Sequence, residues 1–514
     1  MGRPGARGGR CFMGTGGLLS CLLLLACEPP SEEMVAVPLE VPSVSQPSRE
    51  DPSSSRPPPE QPAPTPSEPT QPPPTQPPPT QPPPEVPQGR SWFVSTKGRD
   101  DAAGTREAPL RTIGRAAERA RPGEVIQVLS GVYPEELILG SRGSGAAAIT
   151  VRGEGSPLPT VAPGNTQRST VIRVQGRWNL ENLRVDVGGK PMFAIIFESG
   201  AGGSTLSGSE LRSGTLSAGV LVDGPRGLTL QNNTIHHFIK PGADSHGVVV
   251  VGPSRDVVIR DNDIHHNSGD SVQCQAGTAP ATGLVIEDNT LHDEGENGVD
   301  IKQCDGVIVR GNVISSLPNT AIRAAGSSAG EAVVVHLSAR NVTVADNTIT
   351  NAGRGISILE DAAPPAHIRV EGNHLRNLRD NPQGNGFGIR VEGGRDVVVV
   401  GNTVESSANY ALMLAADGKR VTGLEVRDNT LRGGANAPLL RLGGEGFRPD
   451  LVLQGNFYSL GGILKADGVL ELLEGPLSPF RADFPGERLT LSDPDKLQVW
   501  RQVMGVDSGT ALIE

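Results

Sequence analysis

The sequence predicts an all-β solenoid, a stack of coils built from short strands. A strand-and-turn motif recurs nine times between residues 228 and 458, each copy carries an Asn at the same point of its turn, and a second alternating strand follows most of these Asn. Composition agrees: among 514 residues there are 66 Gly but only three Trp, three Tyr and ten Phe, which suits a turn-rich chain with small packing units.

The copies run from LTLQNNTI (228–235) and VVIRDNDI (257–264) through LVIEDNTL (284–291) and VIVRGNVI (307–314) to LVLQGNFY (451–458). Their Asn are 233, 262, 289, 312, 347, 373, 402, 429 and 456, spaced 23 to 29 residues apart except for the 35 between 312 and 347. A fixed period of this length with Gly/Asn turns marks a solenoid. An Asn amide satisfies turn backbone groups and tolerates the left-handed region. Stacked coil on coil, these amides form a hydrogen-bonded ladder. The second strands read GVLVD (219–223), GVVVV (247–251), SVQCQ (271–275), GVDIK (298–302), AIRAA (321–325), GISIL (355–359), GIRVE (388–392) and ALMLA (411–415). A short third strand completes a triangular coil.

Both ends need covering, because a solenoid must cap its apolar end coils. Residues 90–133 hold a strand, a Gly/Asp turn, an amphipathic helix near Thr112–Ala120 and the strand EVIQVL, and the helix covers the first coil. The repeats then fill 134–462, and in the segment 463–514 a helix around Trp500 closes the far end.

The N-terminus points to export. Arg3, Arg7 and Arg10 precede the apolar run LLSCLLLLAC, which is too short to span a bilayer. LLAC (24–27) resembles a bacterial lipobox, so residues 1–26 are expected to be a lipoprotein signal and Cys27 the lipidated residue; LLSC, ending at Cys21, is the second candidate. Residues 27–89, with QPPPT repeats, cannot bury a core and are expected to be a disordered polyproline-like tether. At about 3.1 Å per residue such a tether reaches on the order of 150 Å. The expected location is the cell envelope, at the outer membrane or cell surface, with a lipid anchor as the membrane contact and the chain as a monomer. Loss of the three leader arginines takes the formal net charge from −11 to −14, which argues against nucleic acid.

The opening FVSTKG…GT…PLRTI…PGE.I.V..GVY, together with the Asn-turn repeats, resembles the right-handed parallel β-helix superfamily, the pectate-lyase-like fold. The resemblance implies that fold for about 90–462. It also implies work on polysaccharide, by lyases, hydrolases or epimerases, or by members that only bind.

Aligning the second strands makes outward columns, one reading Gln273, Asp300, Arg323, Ser357, Arg390 and the next Gln275, Lys302, Ala325, Leu359. With coils about 4.8 Å apart, neighbours in a column touch. Asp270 and Glu296 precede these strands. The resemblance implies β-elimination from a uronate-containing glycan: Lys302 as base, Arg323 neutralising the substrate carboxylate, Asp270, Glu296 and Asp300 holding calcium, and Gln273, Gln275 and Arg390 contacting substrate. The 21-residue spacing of Lys302 and Arg323 resembles the Lys/Arg pair of the alginate and chondroitin lyase branch. Lys302 needs a lowered pKa to act as base; Arg323 lowers it and Asp300 raises it. A glycoside hydrolase using Asp270 and Asp300 ranks lower, since the double Asp of polygalacturonases and the DPHE motif of epimerases are absent. In the non-catalytic alternative, a carbohydrate-binding or structural surface solenoid, Asp300, Lys302 and Arg323 pair on a solvated face.

Two further features stand apart. His236, His265 and His292 share one turn column and His237, His266 and Asp293 the next, as a stacked ladder or as metal ligands. Cys274 points inward with Ile301, while Cys304 lies three residues beyond that column, so no disulfide is expected between them.

Overall fold

The computed structural model describes residues 89–514 except 142–146, 165–167, 325–328, 362, 381–384, 415–420, 444–450 and 514. The leader, both lipobox cysteines and nearly all of the tether therefore lie outside the described residues. No described helix is long and apolar enough to cross a membrane.

Three sheets of fourteen strands each run the length of the body. The first sheet holds the strands before each Asn, the second the short strands just after it, and the third the strands with the polar columns. The pairings are parallel throughout, except that Arg488–Thr490 closes the third sheet antiparallel to Ile463–Ala466. Inward positions stack by like residue. One column reads Ile259, Ile286, Val309, Val344, Val370, Val399, Val426 and Leu453, one residue per coil and all buried. Such stacking removes each strand's apolar face from water, which is the main favourable term in folding.

All nine predicted Asn are buried, none more than 2 % exposed. The residue before each is left-handed: Asn232, Asp261, Asp288, Gly311, Asp346, Gly372, Gly401, Asp428 and Gly455 have φ between 53° and 66°. Only Gly, Asn and Asp occupy this position, the types that enter that region at least cost. Each Asn up to Asn429 donates both its backbone N–H and its Nδ2 to the Oδ1 of the Asn one coil on, as Asn289 does to Asn312 at 3.0 Å in each case. The Asn312 Nδ2 also reaches back to the Ile286 carbonyl at 3.0 Å. Ser209 opens the ladder by donating its N–H to Asn233 Oδ1, and Asp507 ends it beside Asn456. Asn289→Ala and Asn312→Ala each leave buried donors without acceptors, so each is expected to cost about 1–3 kcal/mol. Melting temperatures measure this, and unchanged values for both variants would remove the ladder from the stability of the coil.

Helices cover both ends. Ile113–Arg119 starts at Thr112, whose side chain accepts from the Arg115 N–H, and buries Ile113, Ala116 and Ala117 on the first coils. Pro494–Met504 starts at Asp493 and stops at the left-handed Gly505, with Trp500 wholly buried.

In one coil the structure departs from the expected register. The strand beside Val299–Lys302 is Glu331–His336, pairing Val299 with Val333, Asp300 with Val334 and Lys302 with His336. Residues 320–322 form a turn, and 323–324 belong to no strand. The 35-residue gap places its extra residues ahead of the strand, so the expected columns through Ile322 and Arg323 give way to Val333 and Val334.

Cys274 and Cys304 form a disulfide, contrary to the spacing argument. Gln303 is left-handed, at φ 55°, so strict alternation ends at Lys302. Cys304 then turns inward, 1 % exposed, with its Cα 6.4 Å from that of Cys274.

Candidate functional site

The polar patch is built from the entrances and outward faces of four consecutive third-sheet strands: His246–Val251, Val272–Gln275, Val299–Lys302 and Glu331–His336. The core claims Val272, Cys274, Val299, Ile301, Val333 and Val335. Period-two alternation then sends Gln273, Gln275, Asp300, Lys302, Val334 and His336 outward.

A buried polar chain runs across the strand entrances. His246 Nδ1 lies 3.1 Å from Asp270 Oδ2. Asn297 donates its N–H and Nδ2 to Asp270 Oδ1 at 3.1 and 3.0 Å, and Gln273 Nε2 donates to Oδ2 at 3.1 Å. Glu331 N–H donates to Asn297 Oδ1, and Arg354 donates to Glu331 at 2.7 Å. A Cβ on Gly269 would sit 2.5 Å from His246 Nδ1, so glycine there makes room for the ring. Burial alone would lower the His246 pKa, but the adjacent Asp270 carboxylate and Glu296 hold it above the ordinary histidine range. Burial would raise Asp270, but His246, Lys302 and the Asn297 N–H hold it below the ordinary range.

Beside this chain sits a charged rim. Lys302 Nζ lies 2.7 Å from Asp300 Oδ2, and His336 Nε2 lies 2.8 Å from Asp300 Oδ1. The second His336 nitrogen, Nδ1, meets Asp361 at 2.5 Å. Asp300 is only 4 % exposed, so this is not the solvated pair the non-catalytic alternative assumed. The Lys302 side chain remains 27 % exposed. Burial works to lower the Lys302 pKa, but Asp300, Asp270 and Glu296 raise it above the ordinary lysine range. That is the opposite of what a base needs. Burial also works to lower His336, yet Asp300 and Asp361 push it up to about 9.

His336 carries a pH prediction. A raised folded-state pKa contributes stability that is complete below about 6.5 and lost as pH rises. It is lost through about 9 for this group. The stability advantage of the native chain over His336→Gln is therefore expected to shrink between pH 6 and 9.5, by up to about 3 kcal/mol. A pH-independent difference would contradict the ionic pairing.

The other expected site residues divide. Glu296 is half-buried, and one of its ligand atoms lies within 4.8 Å of one each from His246 and Asp270. Gln275 is half-buried on the outward face in line with Val251. Arg323 is not over Asp300; it sits in the turn after Asn319, its Cα 3.0 Å from where a Cβ on Gly295 would lie. That backbone contact sets it beside Gly295, the residue before Glu296. Arg390 does lie in the Asp300 column, beside Ser357, but three coils away at about 14 Å, and it pairs with Glu392.

Calcium takes six to eight oxygens. Both Asp270 oxygens are already engaged, Oδ1 accepting from Asn297 and Oδ2 from Gln273, and both Asp300 oxygens face Lys302 and His336. As arranged, these carboxylates do not form a calcium cage.

Sequence reasoning missed His246 and His336. The strand was read as starting at Gly247, one residue late. For His336, the β-branched run EAVVVH was the available signal, and AIRAA was chosen in its place. The histidine turn columns are as expected: His236 pairs with His265 and His265 with His292. Burial lowers the pKa of His236 and His237, and takes His265 down to about 4.

Comparisons agree with this architecture. Residues 96–138 match a protein family of unknown function, DUF1565. A 68-residue stretch is 35% identical to the uncharacterized protein YwoF of Bacillus subtilis, covering 13% of this chain and 14% of that relative's length. The catalytic unit of a GH87 α-1,3-glucanase from Streptomyces thermodiastaticus superposes with a TM-score of 0.50 at 20% identity, covering 68% of this chain and 65% of that one. An alginate lyase from a Paenibacillus species gives 0.40 at 19%, covering 54% and 94%, and a mannuronan C-5 epimerase A-module from Azotobacter vinelandii gives 0.44 at 16%, covering 78% and 93%. At 20% identity the likeness to the glucanase is one of fold. The family described as "Right handed beta helix region" matches residues 172–336 and 327–437, more than half of the 514 residues, and the chain belongs to it.

Proposed function

We propose that the outward face of the third sheet binds an acidic polysaccharide, with a uronate carboxylate seated at Lys302, the exposed cation of the Lys302–Asp300–His336 cluster. The observation that carries this is Lys302, 27 % exposed and held cationic, on a coil where the buried Asp300 carboxylate is shared with His336, which Asp361 also pairs. The net charge of −11 repels polyanions at long range, so such a ligand needs local cations of this kind. Gln275 and Glu296 offer polar atoms to sugar hydroxyls. On the coils before them Phe193, Leu221, Val249 and Val251 form a separate apolar cluster that suits the face of a sugar ring. The glucanase that shares the fold acts, by its name, on a polysaccharide, which accords with a carbohydrate ligand.

Uronate β-elimination is the second reading. It requires Lys302 to surrender a proton that Asp300, Asp270 and Glu296 all favour keeping. Binding therefore ranks first, and no step is assigned to calcium.

Calorimetry on the full chain with alginate and polygalacturonate oligomers tests this, alongside absorbance of unsaturated uronate ends with calcium and with chelator. Saturable binding without new absorbance is expected. New absorbance would move the assignment to a lyase, and reducing ends without it would move it to a hydrolase. Absence of binding to both polymers would end the proposal.

The same proposal places the protein in the cell envelope, lipid-anchored at Cys27. The Cys274–Cys304 disulfide supports export, because disulfides persist in oxidising compartments. Cys27→Ser is expected to shift the protein from the membrane to the soluble fraction. Release by Cys21→Ser alone would move the lipidation site.

A further inference from the structure

The histidine turn columns lie on the second sheet's margin and take no part in the glycan site. His236, His265 and His292 stack with ring centroids 4.9 Å apart at each step and planes within 18°. The residue after each, His237, His266 or Asp293, is left-handed, with φ of 57°, 55° and 54°. That conformation turns each side chain back beside its predecessor. Every coil therefore presents a two-atom bite. Nδ1 faces Nδ1 at 2.6 Å in His236–His237 and at 2.8 Å in His265–His266, and His292 Nδ1 faces Asp293 Oδ2 at 2.7 Å. One ligand atom each of His236, His237 and His265 falls within 4.8 Å of the others, so a neighbouring coil supplies a third donor.

We propose that these columns bind copper(II)-class transition-metal ions through paired Nδ1 atoms. Nitrogens on adjacent corners of a square-planar or octahedral site, with bonds of about 2.0 Å, lie about 2.8 Å apart, whereas tetrahedral corners lie about 3.3 Å apart. The observed bites match the first figure. Nitrogen-rich square-planar sets favour copper(II) or nickel(II), and copper(II) binds most tightly along the divalent series. Carboxylates meet the opposite ring nitrogens: Glu210 lies 3.5 Å from His236 Nε2 and Asp263 3.0 Å from His292 Nε2. Outer partners of this kind fix a ligating ring's tautomer and orientation. Without metal, an N–H···N bond between neutral rings would hold the same pairs together, so binding itself is what must be measured.

The test is titration of the full chain with Cu²⁺ against a competing chelator, with electron paramagnetic resonance on the bound ion. At least one equivalent is expected, with nitrogen hyperfine structure. His236→Gln/His265→Gln is expected to weaken binding at least tenfold, with its fold checked by circular dichroism. If that variant does not fold, His237→Ala/His266→Ala removes the second nitrogen of both bites while leaving the stacked column, and the same loss is expected. Copper bound equally by parent and variant, or a spectrum without nitrogen coupling, would overturn the proposal.

Discussion

Asp270→Ala is expected to cost about 3–5 kcal/mol of stability, because it strips the counter-charge from a buried ion pair. Asp270 is wholly buried, and the donors to its carboxylate, Gln273 and two groups of Asn297, have no water to turn to. Asp270→Asn separates charge from shape. The Asp270 pKa is lowered, so its contribution is present above the ordinary carboxylate range and lost as pH falls through its depressed value. The His246 pKa is raised, so its contribution is complete below about 6.5 and lost as pH rises beyond that. The parent's advantage over Asp270→Asn should therefore peak between about pH 4 and 6.5 and fall on both sides. Denaturant midpoints across pH check this, and a flat profile would mean that Asp270 acts through hydrogen bonding alone.

Lys302→Ala is expected to weaken binding of uronate oligomers at least tenfold, about 1.4 kcal/mol or more. Asp300 keeps His336 in this variant, so the buried carboxylate is not left unpaired and the coil is expected to fold. His336→Gln should weaken binding in the same direction, whereas Arg390→Gln, three coils away, should matter only for longer oligomers that reach it. Calorimetry with short and long oligomers separates the two positions. Equal affinity of parent and Lys302→Ala would remove this amine from the site.

What the sequence revealed follows from how local each feature is. The Asn ladder, the inward and outward faces of Val272–Gln275 and Val299–Lys302, and both end helices depend on spacings within one coil, and alternation and turn residues encode those directly. Arg323 was misplaced and His336 missed because assigning the next strand requires knowing where a long insertion sits. Residues 321–325 alternate and 331–336 form a β-branched run, so both read as strands, and only coil-to-coil packing decides between them. The Cys274–Cys304 bond depends on one left-handed residue, Gln303, which nothing in its side chain announces. His246 lay one residue outside an otherwise correct strand. The charge state of Lys302 was the least legible of all, since it is set by three carboxylates from two turns and a strand, brought together only by stacking.

On the proposed reading Lys302, held beside Asp300 and His336, receives a sugar carboxylate. A crystal structure of the protein with a uronate tetrasaccharide tests it most directly. A carboxylate is expected within hydrogen-bonding distance of Lys302 Nζ, with the chain of sugars lying across the third-sheet strands toward Val251 and Leu221. Sugar density on another face, with the Lys302–Asp300–His336 contacts unchanged, would contradict it.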